Sequence, residues 1–256
     1  MAKLYQFPEK EISKNFLVTE GYRSLYCEDR FEMDNKVVLL YNLAESQAAE
    51  AKSSILHLDH GMILDPRPTK QLMNELCKDN GFGFAISKFL SDLTGIKSYI
   101  PFIHLYKAYM PIKGGCRQNT DWISPNLLKN YFLKDGILYL EDLNGYRFQV
   151  DFPKGDIEKR FHDVALLVQA NFLFLKAILN WGHCQMQPPA ELGVLKRFEN
   201  CQCLKHQNMR IKVNDLDAMI LAFKKCLLIN LGIDELERFE LTKYYGQNLK
   251  RLKKLY

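Results

Sequence analysis

Two different hydrophobic periods meet near residue 153, and their junction constrains the fold more than any other feature of the chain. Before it, Tyr146, Phe148, Val150 and Phe152 alternate with Arg147, Gln149 and Asp151, so four large apolar groups share one face of a strand. After it, Pro153 and Gly155 interrupt the strand and Asp156 offers an N-cap oxygen. Ile157, Phe161, Val164, Leu167 and Val168 then recur at the spacing of a helix that runs to about Gly182. A sheet that hands over to a long amphipathic helix predicts an α+β protein.

The strand period extends backwards through Asn144-Gly145 to Ile137. Asn-Gly tolerates positive φ, so a hairpin with a two-residue type I′ turn is predicted over Ile137 to Phe152, although Leu138, Tyr139 and Leu140 break the alternation of its first strand. Further upstream, Lys36 to Tyr41 and Ser53 to Leu58 read as strands, joined by an Ala/Glu/Ser/Gln-rich connection with the composition of a short helix. Leu72, Met73 and Leu76 give helical spacing to Thr69–Cys77, and Asn80-Gly81 closes that segment. Downstream, Asn214 begins a second helix with Leu216, Met219, Ile220, Phe223 and Leu227 inward and Gly232 as its stop, and a third starts near Asp234. The architecture expected is an antiparallel β core with a short packed helix, followed by a C-terminal helical region. The boundary falls between 1–154 and 155–256.

Composition narrows the class. At 47% hydrophobic, 25% charged and 12% aromatic residues, with 14 Gly and 9 Pro among 256, the chain has the make-up of a folded globular protein. The most apolar stretch, Val164 to Trp181, is interrupted by Gln169, Asn171, Lys176 and Asn180, which argues against a membrane span. Seven cysteines, an odd number, behind a Met1-Ala2-Lys3 start without an apolar leader core point to a reducing, cytoplasmic setting. The net charge of +5 is unevenly spread: residues 1–60 hold 7 basic and 10 acidic side chains, and residues 155–256 hold 16 and 11. This balance attracts polyanions only mildly.

Nothing in the motifs selects an enzyme. There is no P-loop, no Gly-x-Ser-x-Gly elbow and no His-Glu-x-x-His helix, and Gly81-Phe82-Gly83 lacks the third glycine of a dinucleotide fingerprint. His57, His60, His104, His162, His183 and His206 are too separated along the chain to define a site. His183-Cys184, Cys201-Gln202-Cys203 and His206 supply enough ligands for a tetrahedral zinc, but these are not common finger spacings, and reduced thiols without metal are the expectation. No cofactor is assigned.

Between Leu72 and Val164 a collinear series stands out. A helix carries Cys77 with Gly81 nearby, followed by Thr94-Gly95-Ile96, Ile100-Pro101, Tyr109-Met110-Pro111, Trp122-Ile123-Ser124 and the Asn144-Gly145 hairpin ahead of a helix. In this order of features the chain resembles the bacterial competence transcription factor family, the ComK-like proteins, over about Val37 to Asn171. The resemblance implies a DNA-binding transcriptional activator that recognises paired AT-rich boxes largely from the minor-groove side and works as a homo-oligomer, open to regulatory protein partners. It departs from the family's basic pattern at Ile86-Ser87-Lys88 and at Tyr99-Ile100. A diverged relative acting through protein contacts, as an adaptor or competitor, is the alternative.

Within that region, Ile96 to Thr120 holds Lys97, Lys107, Lys113 and Arg117 with no acidic residue, interleaved with Tyr99, Phe102, Tyr106 and Tyr109. Aromatics filling a core while lysines solvate strand edges would give the same pattern. Taken with the resemblance, the four cations are the candidate DNA contacts, Lys neutralising phosphates and Arg117 reaching into a narrow minor groove. Trp122, beside Ile123, is expected in the core. The C-terminal helix has Leu236, Phe239, Leu249 and Leu252 on one side, and Lys250, Arg251, Lys253 and Lys254 near its end. Those cations complement the helix dipole, and they also suit an assembly surface or a second DNA anchor.

Overall fold

The computed structural model describes residues 11–252, apart from 29, 45–50, 80–82, 115–117, 182, 210–216, 219, 222–223 and 225–234. The protein is α+β. A meander of β2 (Val37–Asn42), β3 (Ser53–His57) and β4 (Gly61–Asp65) forms one half of the main sheet, and the hairpin β5 (Phe102–His104) with β6 (Lys107–Pro111) forms the other. The two-residue β7 (Trp122–Ile123) lies between β2 and β6, and with β1 (Tyr26–Cys27), which follows the short helix α1 (Lys14–Thr19), this makes seven strands in the order β1-β4-β3-β2-β7-β6-β5. All neighbours are antiparallel except β1, which runs parallel to β4 at the edge. Tyr109-Met110-Pro111 and Trp122-Ile123-Ser124, far apart in sequence, are thus adjacent in the sheet, with Met110 opposite Ile123 and Pro111 opposite Trp122.

Strands β3 and β4 are buried at every position, because both faces of the sheet are covered. On one face Val37, Leu40, Ile55, Ile63 and Trp122 pack with Leu72, Met73 and Leu76 of α2 (Thr69–Asp79). The opposite face, with Leu56, Met62, Ile103 and Met110, packs with α3 (Phe84–Thr94), α4 (Ile157–Trp181) and a second sheet. A register shift between Val37 and Leu39 puts two successive residues, Val38 and Leu39, into this larger core. Helix α3, which the sequence reading did not anticipate, buries Ile86 and Leu90 one turn apart.

The second sheet has the order β10-β9-β8 and comprises β8 (Leu128–Lys134), β9 (Ile137–Asp142) and β10 (Arg147–Asp151). Phe148, Val150 and Phe152 are buried as the alternation predicts, and Tyr146 is half-buried. Tyr41 ties the two sheets together: its hydroxyl, at the centre of the core, contacts the carbonyls of Gln149 at 2.5 Å and Ile12 at 3.0 Å. Helix α4 begins where Asp156 accepts the Lys159 N–H at 3.1 Å, and it inserts Phe161, Val164, Leu167 and Phe174 into the same core. It is the one helix among the described residues long and apolar enough to cross a bilayer, and its apolar stripe is spent on this packing.

The β9–β10 connection corrects the expected turn. Glu141 pairs with Arg147, and only Gly145 has positive φ, at 88°; Asn144 does not. The Asp142 carboxylate accepts the N–H groups of Asn144 at 2.9 Å and Tyr146 at 2.8 Å, while the Gly145 N–H reaches the Asp142 carbonyl at 3.1 Å. These bonds favour a longer loop with a left-handed glycine over the two-residue type I′ turn. The type I′ geometry occurs instead at Asp135-Gly136, φ 50° and 76°, between the paired Lys134 and Ile137 of β8 and β9. Gly145→Val should still destabilise the protein by about 1 kcal/mol or more, because a β-branched residue resists positive φ. An unchanged denaturation midpoint would show that the loop relaxes freely.

Beyond α4, the expected helix from Asn214 to Leu227 falls largely outside the described residues. So do the connection after β2 and Gly81. The expected C-terminal helix is present as Glu235–Leu252, with α5 (Leu204–Gln207) and a 3-10 segment, Gly193–Phe198, lying between it and α4.

Candidate functional site

The cationic window of the sequence is divided by the fold. Lys97 is exposed just after α3, and Lys113 is exposed just after β6. Their neighbours converge on one cleft of about 330 Å³, lined by Ile96, Tyr99, Met110, Lys154, Lys159 and Arg160 among others. Arg160 organises it. Its guanidinium lies 3.7 Å from the Tyr99 ring centre and 4.5 Å from that of Phe152, and Nη1 donates to the Ile112 carbonyl at 2.7 Å. Tyr99 is 42% exposed and holds φ at 52°, a conformation a bulky residue adopts at a cost. The Arg160 contact therefore holds an aromatic ring at a cleft lined by Lys154 and Lys159, while Lys97 lies in sequence between its lining residues Ile96 and Ser98, and Lys113 follows Ile112, whose carbonyl Arg160 bonds. Of the two carboxylates there, Asp156 caps α4 and Asp163 lies 3.9 Å from Lys205.

Lys107 belongs elsewhere. It is half-buried and lines a different cleft, of about 550 Å³, with Asp34 and Glu191. Burial lowers its pKa, against the pull of Glu191 and Asp34. The absence of acids around Lys107 in sequence thus does not survive folding. Arg117 lies outside the described residues. Lys154 and Lys159 were missed by sequence reasoning; the available signal was that they bracket the start of α4, whose N-terminal turn faces the strand that ends near Lys113.

The histidines also regroup. His57 is buried, with Nε2 3.0 Å from Asp34 and Nδ1 accepting the N–H groups of Asp59 and His60. Burial lowers its pKa, opposed by Asp34. With both nitrogens engaged, its role is to hold the turn between β3 and β4.

His162, Cys201, Cys203 and His206 form a second constellation, their ligand atoms all within 4.8 Å of one another. His183 and Cys184, the ligands that proximity in sequence suggested, are exposed and stand apart from it. The missing partner was His162, 39 residues before Cys201, on the second turn of α4. Burial lowers the His206 pKa, with a further push from His162, and its Nδ1 lies 3.2 Å from Cys203 Sγ. Compared with known proteins, the chain matches no family model, no curated protein and no solved structure.

Proposed function

We propose that this protein binds double-stranded DNA and regulates transcription, as an AT-preferring oligomer of the kind found in the competence transcription factors it resembles. The observation that carries the reading is the cleft built on Arg160 and Tyr99, lined by Lys154 and Lys159, with the exposed Lys97 and Lys113 close in sequence to residues that line or brace it. Exposed ammonium groups on this side of the protein suit the regularly spaced phosphates of a duplex, and their binding releases counterions. The exposed Tyr99, braced by Arg160, offers an apolar edge to the sugar-phosphate backbone between them. Lys107 has no part in this surface.

The test is fluorescence anisotropy of the full chain on AT-rich and GC-rich duplexes at about 50 and 200 mM salt. Tighter binding to the AT-rich duplex, weakening steeply with salt, is the expected result. Equal and negligible binding to both by folded protein would overturn the reading and favour action through protein contacts. The second sheet bears an aromatic pair suited to such contacts, the exposed Phe132 stacked on the half-buried Tyr139 at 4.5 Å.

A further inference from the structure

The stretch from Leu195 to Met209 is poorly supplied with apolar anchors. Val194 and Leu195 are buried in the core, but from Lys196 to Asn208 the only buried side chain is His206, and Leu204 is 74% exposed. The side chains that turn inward are those of Phe198, Cys201, Cys203 and His206, and the last three meet His162. Thiols and imidazoles stand where apolar side chains would otherwise pack.

The distances fit one small cation. Cys203 Sγ lies 3.2 Å from His162 Nε2 and 3.2 Å from His206 Nδ1, and Cys201 Sγ lies 3.5 Å from His162 Nε2. Tetrahedral zinc with bonds of about 2.3 Å to sulfur and about 2.0–2.1 Å to nitrogen sets the sulfur–nitrogen edge near 3.6 Å. Hydrogen bonding among these groups requires particular ring tautomers and thiol orientations, whereas a shared cation takes a lone pair from each of the two nitrogens and two sulfurs.

We propose that His162, Cys201, Cys203 and His206 bind one zinc ion in a closed, four-coordinate structural site that fastens the segment around α5 onto α4. Binding displaces both thiol protons to solvent, and two thiolates balance the charge of the ion, so the filled site is neutral and suited to its half-buried position. Zinc is the metal selected because two thiolates and two imidazoles at tetrahedral spacing match its preferences, and four protein ligands leave no open position for a substrate. Beside the site, His162 Nδ1 lies 3.8 Å from an Asp163 carboxylate oxygen, and the Phe198 ring meets the His162 ring edge-on at 5.7 Å. This site does not depend on the DNA-binding reading.

The test uses the full chain, reduced and freed of metal, then titrated with zinc or cobalt and freed of excess. Expected are about one zinc per chain by elemental analysis and, with cobalt, the intense visible bands of a tetrahedral ion with thiolate charge transfer in the near-ultraviolet. C201S/C203S should drop below about a tenth of an equivalent, while C184S keeps the full equivalent. Zinc should also slow proteolytic cleavage between Lys196 and Lys205 in the parent chain. Less than about a tenth of an equivalent in the folded parent chain, octahedral cobalt spectra, or undiminished binding by C201S/C203S would each overturn the site. The parent chain supplies the first two results whether or not the double variant folds.

Discussion

The variant with Lys97, Lys113, Lys154 and Lys159 all changed to alanine is expected to lose most of its DNA affinity and most of the salt dependence of what remains. If each lysine neutralises one phosphate, the slope of log affinity against log salt falls by about 0.9 per residue. Over a fourfold rise in salt the parent protein then loses about two decades more affinity than the variant. All four side chains are exposed, so thermal stability should stay nearly unchanged. Lys107→Ala is the internal control. Its side chain faces Asp34 and Glu191, so its removal should leave the slope as it was. Anisotropy titrations at several salt concentrations read both outcomes, and an unaltered slope in the fourfold variant would remove this face from the interface.

The largest stability effect is expected from Asp65→Ala. Asp65 is fully buried at the end of β4, and it receives Arg67 through Nη2 at 2.7 Å, Nε at 2.9 Å and the backbone N–H at 2.8 Å. Arg67 in turn reaches Glu75 on α2 at 2.6 Å and the Phe31 carbonyl at 2.6 Å. One guanidinium therefore joins the sheet, the helix that covers it and the chain entering β2. Removing the carboxylate leaves a largely buried cation short of its main counter-charge, a change that costs about 3–5 kcal/mol. Asp65→Ala combined with Arg67→Met should recover part of the loss, because the stranded charge goes with it. Urea denaturation of the three proteins measures this, and a loss below about 1 kcal/mol for Asp65→Ala would show that water or Glu75 takes over.

Local pattern made much of the fold legible. The strands at Val37–Asn42, Ser53–His57 and Arg147–Asp151, the helix at Thr69–Asp79 and the cap and stripe of Ile157–Trp181 all follow from period and punctuation over a few residues. Other features were present but read too weakly: Asp135-Gly136 is as good a turn signal as Asn144-Gly145, and Ile86 and Leu90 carry the spacing of α3. The choice of loop at Gly145 rests on whether the Asp142 side chain bonds the amides of residues 144 and 146, a contest of several hydrogen bonds that a dipeptide preference does not encode.

The sequence by itself determined the α+β class, the place where sheet gives way to helix, and the residue types available for chemistry. Tertiary structure alone decided which of them meet. It set Trp122 beside Pro111, gathered Lys154 and Lys159 with the neighbours of Lys97 and Lys113, turned Lys107 toward carboxylates, and brought His162 rather than His183 to Cys201 and Cys203. The physical reason is one of range. Periodicity and capping act within a turn or two of the chain, whereas charge neighbourhoods and ligand sets depend on distances of a few ångströms between segments tens of residues apart, fixed only when the core closes.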